Sequence, residues 1–252
     1  MSENLHAVEW TDEKIAAFHN NADYLIMNGI QANNYFAFIS GKDLMRIVDK
    51  YLHFENKIVM DYGCGIGILT EEIMKHYNPA GVYACDVASE SVKETTDRCK
   101  GYSSFKGAYL IDDNQLPLED GKFDIITVTE IVEHLSEKAL DFLLKQVNRL
   151  LRVGGVLVVT TPNEENLKES IVVCPDCGCY FHRVQHIRSW SDKTLMSYIN
   201  GYGFKERKTI KTYLHSLKSN SFKERMTAET KNFLLSTIRR KPRNLIYLAE
   251  KI

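Results

Sequence analysis

The stretch VMDYGCGIGILTEEIMKHY, Val59 to Tyr77, sets Gly63, Gly65 and Gly67 between an apolar run and a helical pattern. Glycines at a strand-to-helix turn let the backbone approach a ligand closely, with the helix N-terminus behind it. The spacing narrows the ligand. A dinucleotide fingerprint, G-x-G-x-x-G, would place its third glycine at position 68, which is Ile68. Asp61 stands two residues before Gly63. A carboxylate there disfavours an anionic pyrophosphate and favours a sulfonium or ammonium group.

The chain around this turn alternates apolar runs with amphipathic stretches. Strands are expected at 57–62, 81–87, 105–111, 123–129 and 154–162. Helices are expected at 68–76, 89–99 and about 136–151, the last with Leu140, Leu143, Leu144, Val147 and Leu150 at helical spacing. Continuous β-branched runs separated by helices imply a parallel sheet covered on both faces. A helix at 191–200, a sixth strand within 203–214 and a seventh at 243–252 complete the pattern. Residues 212–241 read as a polar, basic connection. Residues 1–50 read as an N-terminal helical lid with aromatics Trp10, Phe18, Tyr24, Tyr35, Phe36 and Phe38, which either shield the site or anchor the first helix as core. Residues 51–252 read as the main domain, interrupted at about 163–190 by a Cys/His-rich insertion after strand five.

The acid ending the second strand, Asp86, is placed to accept hydrogen bonds from both hydroxyls of a ribose, with Val87 beside it. Asp112 and Asp113 follow the third strand, where an adenine amino group would be read. A nucleoside with a cationic end is S-adenosylmethionine. The ordered set D-x-G-x-G-x-G, the acid ending strand two, the acid after strand three and LPLEDGKFDIIT before EIVEHL resembles class I S-adenosylmethionine-dependent methyltransferases, over about Tyr51 to Gly203 plus the last strand. The resemblance implies a Rossmann-like, seven-stranded, mostly parallel sheet flanked by helices, whose last strand is antiparallel. The cofactor set is then Asp61, Gly63, Cys64, Gly65, Asp86, Val87, Asp112, Asp113 and Glu130.

TEIVEHL begins where strand four ends, the edge at which open α/β sheets place their ligands. One reading of Glu130, Glu133 and His134 is local: Glu130 contacts the cofactor, and the other two cap the next helix or orient the loop. The other is a metal site, because two carboxylates and an imidazole suit a divalent cation. EIVEHL is similar to the E-x-x-E-H segment of ubiquinone-biosynthesis O-methyltransferases and of small-RNA terminal 2′-O-methyltransferases. In the latter a further histidine follows strand five, in a segment that HIRSW, with His186, resembles. That implies Glu130, Glu133, His134 and His186 as ligands of Zn2+ or Mg2+, with Glu133 and His134 as the catalytic pair. A bound cation would lower the pKa of an acceptor hydroxyl. Without metal, His134 is the candidate general base.

CPDCGCYFHRVQH offers a second metal set, Cys174, Cys177, His182 and His186, within the ligand menu of tetrahedral zinc, with Cys179 as a spare thiolate. The two sets compete for His186. A further outcome places His182 and His186 at the active site and leaves the cysteines to other ligands. The alternative for the cysteines is packing as small apolar groups, which is also the expectation for Cys64 and Cys85.

The 252 residues carry a net charge of −1, which gives no basic surface for nucleic acid. No apolar run is long enough to span a membrane, and MSENLHAVEWTDEK lacks the apolar segment of a signal peptide, so a cytoplasmic protein is expected. Lys241 and Arg243, with Arg239 and Arg240, form a basic cluster that is either a solvated loop or a contact for an anionic substrate; Tyr213 and His215 are candidates for the acceptor pocket. The expectation is O-methylation of a hydroxyl on a small molecule or glycan precursor. The alternatives are an RNA 2′-O-methyltransferase, a non-catalytic zinc-stabilised cofactor-binding module and, more distantly, a nicotinamide-dependent reductase. A homodimer is an open assembly state.

Overall fold

Buried β-branched strands need cover on both faces, and the chain supplies it from alternate crossovers. The computed structural model describes residues 5–27, 41–112, 115–214, 222–237 and 241–252. A two-residue strand β1 (His6–Ala7) is followed by helices α1 (Asp12–Met27) and α2 (Gly41–Val48). Then come β2 (Ile58–Tyr62), α3 (Ile68–His76), β3 (Gly81–Asp86), α4 (Ser89–Cys99), β4 (Phe105–Leu110), β5 (Phe123–Thr129), α5 (Glu137–Leu150) and β6 (Leu151–Pro162). The insertion holds β7 (Ile171–Val173) and β8 (Cys179–His182). It is followed by α6 (Asp192–Asn200), β9 (Phe204–Thr212), α7 (Phe222–Thr237) and β10 (Asn244–Lys251).

Seven strands form the main sheet in the order β4-β3-β2-β5-β6-β10-β9, with β10 antiparallel to both neighbours. Period-two alternation divides each strand between two cores. Met60, Ile126, Val128, Leu157, Val159, Leu245 and Tyr247 face α5 and α6, meeting Leu140, Leu144, Val147, Leu195 and Ile199. Val59, Ile125, Val156, Val158, Ile246 and Leu248 face the other way, against Leu44 of α2 and Leu69 and Ile73 of α3. Strand order reverses between β2 and β5, so the carboxyl ends of these strands open a crevice, the place where doubly wound sheets bind ligands.

Two expectations change. Part of the supposed connection at 212–241 is the helix α7. The N-terminal segment is not only helical: β1 pairs in parallel with β8, His6 opposite Cys179 and Ala7 opposite Tyr180, and so joins a second sheet of order β1-β8-β7. Trp10 and Phe18 stack edge-on against Phe181 of that sheet at 6.0 and 6.4 Å. These aromatics therefore anchor α1 to the insertion, while Ile15, Phe18 and His19 of the same helix line the crevice. Tyr35, Phe36 and Phe38 lie outside the described residues, as does the side chain of Tyr24. Among the described residues no helix is long and apolar enough to cross a membrane.

Phe123 opens β5 fully buried and meets Tyr83 edge-on at 5.2 Å. Phe123→Ala is expected to lower unfolding stability by about 3–5 kcal/mol, read from the midpoint of a urea titration, because the cavity lies between strand and helix where neither can collapse.

Candidate active site

The crevice encloses 1710 Å³, more than the roughly 300–1,000 Å³ of a single-ligand pocket, so it has room for a cofactor and an acceptor together. Its floor is the glycine turn. Gly63 has φ +75°, and a Cβ there would lie 2.2 Å from Ile131 Cδ1, so only glycine fits. At Gly65, φ +51°, a Cβ would meet nothing within 4 Å, and the backbone lies open to the crevice. Asp86 Oδ2 accepts from the Gly65 N–H at 2.8 Å and Oδ1 from the Ala88 N–H at 3.0 Å. The carboxylate is thereby fixed on the crevice wall. Cys64, Val87 and Asp112 also line the wall; Asp113 lies outside the described residues. These features fit an adenosyl nucleoside.

Asp61 lines the crevice too, and it has partners within the fold. It is buried, and its oxygens accept from Thr70 Oγ1 at 2.6 Å and Thr127 Oγ1 at 2.9 Å. Burial raises its pKa against these bonds. It braces the turn between β2, α3 and β5 from the crevice floor. Burial likewise lifts the Cys64 and Cys85 thiols well above their usual value, which suits packing and not nucleophilic chemistry.

The second wall is built by the loop after β5. Glu130 sits at φ +53°, a left-handed conformation costly for a side chain with a Cβ, of the kind that marks functional sites. Its Oε1 accepts from Thr160 Oγ1 at 2.8 Å. Glu133 Oε2 accepts from the neighbouring Thr161 Oγ1 at 3.0 Å. Its other oxygen, Oε1, is buried without a hydrogen-bond partner. The His134 Nε2 lies 3.9 Å from that oxygen and the His186 Nε2 4.0 Å. Neither Glu133 nor His134 caps the following helix; Ser136 does, accepting from the Ala139 N–H at 3.1 Å.

Outer partners fix the tautomers. Gln185 is fully buried; its Nε2 donates to the His134 carbonyl at 3.0 Å, which leaves its Oε1 as acceptor. That oxygen receives His134 Nδ1 at 3.2 Å and His19 Nε2 at 2.8 Å. His186 Nδ1 is bonded to Glu165 Oε2. Both imidazoles therefore donate from Nδ1 and turn the Nε2 lone pair toward Glu133 Oε1, the arrangement in which carboxylates and carbonyls orient metal-ligating histidines. Glu133, His134 and His186 form a set with ligand atoms all within 4.8 Å of one another; Glu165, His182 and His186 form a second. Glu130 belongs to neither set and holds the rim beside them. Sequence reasoning passed over Glu165, Gln185 and His19. Glu165 lies in the insertion at about 163–190 and Gln185 within CPDCGCYFHRVQH, both already singled out, while nothing along the chain marks His19.

The structure does not bring Cys174, Cys177, His182 and His186 together. His182 is paired across the hairpin with Ile171, while Cys174 lies three residues further along the chain, just past the end of β7, about 10 Å away at strand rise. His182 Nδ1 accepts from the His186 N–H at 3.2 Å, and its Nε2 faces Glu165 Oε1 at 3.6 Å. The cysteines instead cluster with Cys179. On the opposite rim, Lys241 and Arg243 line the crevice, with Lys241 Nζ paired to Glu164 Oε2 at 2.9 Å. Tyr213 donates to the Lys241 carbonyl at 2.9 Å and supports this rim from behind; Arg239, Arg240 and His215 lie outside the described residues.

The electrostatics follow from burial. It raises Glu130 to about 7, helped by the Glu165 charge, and raises Glu133 well above the ordinary carboxyl range, helped by the Glu130 charge. It holds His134 well below the usual imidazole value, with His19 and His186 adding to the effect. Burial acts to raise Glu165, but its hydrogen bond to His186, with the electrostatic pull of the nearby His186 and His182 rings, outweighs it and lowers the carboxyl.

Residues 59–155 match the family of methyltransferase domains. A ubiquinone biosynthesis O-methyltransferase of Pelagibacter ubique is 29% identical over 120 residues, 48% of this chain and 47% of that protein. The chain thus spans about half the length of that curated relative. The structure of a Burkholderia thailandensis 1,6-didemethyltoxoflavin-N1-methyltransferase with S-adenosylhomocysteine superposes at TM-score 0.63, over 98% of this chain and 93% of that one, with 14% identity. The [4+2]-cyclase SpnF superposes at 0.66 with 16% identity, over 99% of both chains. The fold is shared, and fold alone does not set the chemistry.

In chelator-treated protein the buried groups have opposite signs. Glu130 and Glu133 hold protons in the folded state that they lose on unfolding above 4.5, so they make stability fall as pH rises. His134 and His182 gain protons on unfolding below 6.5, so they make stability rise as pH approaches that value. The pairs oppose one another up to 6.5; above it the carboxyls lower stability, joined toward 8.5 by the buried Cys64 and Cys85 thiols, which ionise only on unfolding. Thermal denaturation is therefore expected to give a lower Tm at pH 8.5 than at pH 6.5, roughly two units of pH, with Glu130→Gln flattening the difference.

Proposed function

We propose that this chain, a member by fold and domain of the class I S-adenosylmethionine-dependent methyltransferase superfamily, methylates a hydroxyl oxygen on a small molecule or glycan precursor, assisted by a divalent cation. S-adenosylmethionine, when bound, supplies the electrophilic methyl group and a neutral thioether leaving group. Asp86 would hold its ribose, and the Gly63–Gly65 backbone would let its methionyl end pass close to the turn. The remaining task is the acceptor's. A hydroxyl is a poor nucleophile until its proton leaves, and a positioned positive charge lowers the cost of that loss.

The observation that carries this reading is the convergence of Glu133 Oε1, without a hydrogen-bond partner, with two imidazole Nε2 lone pairs. A buried carboxylate oxygen and two neutral imidazoles are the donor set of a Zn2+, Mn2+ or Mg2+ site. A cation there would supply Lewis-acid charge beside the acceptor. His134 as an unaided base is the weaker reading. Its depressed basicity makes it a poor proton acceptor, whereas a neutral imidazole is what a cation requires. The sequence likeness to a protein named as an O-methyltransferase supports oxygen as the acceptor atom. The net charge of −1 disfavours a polyanionic RNA acceptor.

The test is S-adenosylhomocysteine release, measured by mass spectrometry with catechol and vicinal-diol acceptors, with and without chelator. Turnover is expected to need Mg2+, Mn2+ or Zn2+. Glu133→Gln is expected to lower kcat on the order of 10²–10³-fold, the several kcal/mol of one Lewis-acid contact, with S-adenosylhomocysteine affinity unchanged. Tight S-adenosylhomocysteine binding without turnover on any acceptor would favour a cofactor-binding module. Full chelator-resistant turnover would return His134 to the role of base.

A further inference from the structure

The hairpin β7–β8 has almost no core of its own. Between residues 164 and 184 only His182 is buried, and Ile171, Val173 and Tyr180 are exposed. Strands of two, three and four residues cannot hold themselves together by apolar burial. Yet the hairpin end is tightly defined. The Cys174 N–H donates to the Cys179 carbonyl at 2.8 Å, and the Gly178 N–H to the Cys174 carbonyl at 3.0 Å, with Gly178 at φ +74°. This turn gathers three thiols, Cys174, Cys177 and Cys179, within 4.8 Å of one another. None is in a disulfide. Three sulfurs on a tetrahedral ion, at about 2.3 Å from it, would stand about 3.8 Å apart, so the set needs little adjustment.

A fourth ligand comes from the other end of the sequence. In the β1–β8 pair His6 is in register with Cys179, and the His6 N–H donates to the Gly178 carbonyl at 3.4 Å. Registered residues of neighbouring strands lie about 5 Å apart with their side chains on the same face of the sheet, so a change of the His6 rotamer, and no change of fold, would carry its imidazole to the three sulfurs. The Cys179 backbone N–H donates to the Cys177 sulfur, a bond that favours a thiolate.

We propose that Cys174, Cys177, Cys179 and His6 form a structural Cys₃His zinc site that fastens the N-terminal strand to the insertion. All four positions are taken by protein, so the ion is closed to substrate. Its role is positional. β1 leads through Trp10, stacked on Phe181, into α1, and α1 carries Phe18 and His19 to the crevice. The zinc therefore holds the helix that roofs the cofactor and completes the Gln185 network around His134. This site shares no residue with the Glu133–His134–His186 set and stands or falls separately from the catalytic reading.

The test is cobalt replacement and zinc X-ray absorption on the full-length chain purified under reducing conditions without chelator. The expected result is one sulfur-ligated metal per chain, with thiolate-to-cobalt charge-transfer absorption. The zinc shell should hold three sulfurs near about 2.3 Å and one nitrogen near about 2.0–2.1 Å. His6→Gln is expected to remove the nitrogen and lower zinc affinity at least about tenfold. Zinc removal should also red-shift Trp10 emission in a Trp190→Phe background. Glu133→Gln should keep the sulfur-ligated metal. A metal with only nitrogen and oxygen ligands, or a disulfide among the three cysteines in place of metal, would overturn the site. An unchanged nitrogen in His6→Gln would overturn the fourth ligand.

Discussion

A buried carboxylate oxygen that meets no donor carries a desolvation cost of order 1–3 kcal/mol or more, and a folded chain keeps such a group only where something else uses it. Glu133 Oε1 is that group here. Much of the local structure is arranged around it. Thr161 satisfies the other oxygen, the Ile187 N–H donates to the Glu133 carbonyl at 3.0 Å, and the loop bearing His186 is thereby held against the loop after β5. Gln185 and Glu165 then set the rings of His134 and His186. The orphan oxygen, the tautomers and the left-handed Glu130 backbone belong to one local arrangement.

The main sheet makes this arrangement affordable. Glu130 and Glu133 follow β5, and their hydroxyl partners Thr160 and Thr161 end β6, the adjacent parallel strand. Two buried cores fix the register of those strands, so the threonines and carboxylates meet without any ordering cost at the site itself. The glycine turn after β2 faces the same crevice as Glu130, His134 and His186.

The periodicity of the strands and helices made the sheet legible, because one-residue register errors would turn apolar side chains outward. Asp86, Glu133, His134 and His186 stand out in the sequence as site candidates because each lies at the end of a strand or in a short run of ligand types. Three things were not legible. Asp61 reads as a charge near a ligand, but Thr70 and Thr127, nine and 66 positions away, consume it. The Cys-x-x-Cys and His-x₃-His runs read as one knuckle, but the hairpin register sends the histidines to the crevice and the cysteines to its far end. His19 meets Gln185 166 positions away, and His6 lies in register with Cys179, contacts between distant segments that no local pattern announces.

The central claim is that the Glu133 oxygen and two imidazoles bind a cation beside the cofactor. Crystals grown with S-adenosylhomocysteine and Mn2+, measured for anomalous scattering, test it directly. The account predicts an anomalous peak bonded to Glu133 Oε1 and to the Nε2 atoms of His134 and His186, with the ribose on Asp86. S-adenosylhomocysteine bound in the crevice with no anomalous peak between those three residues would contradict it.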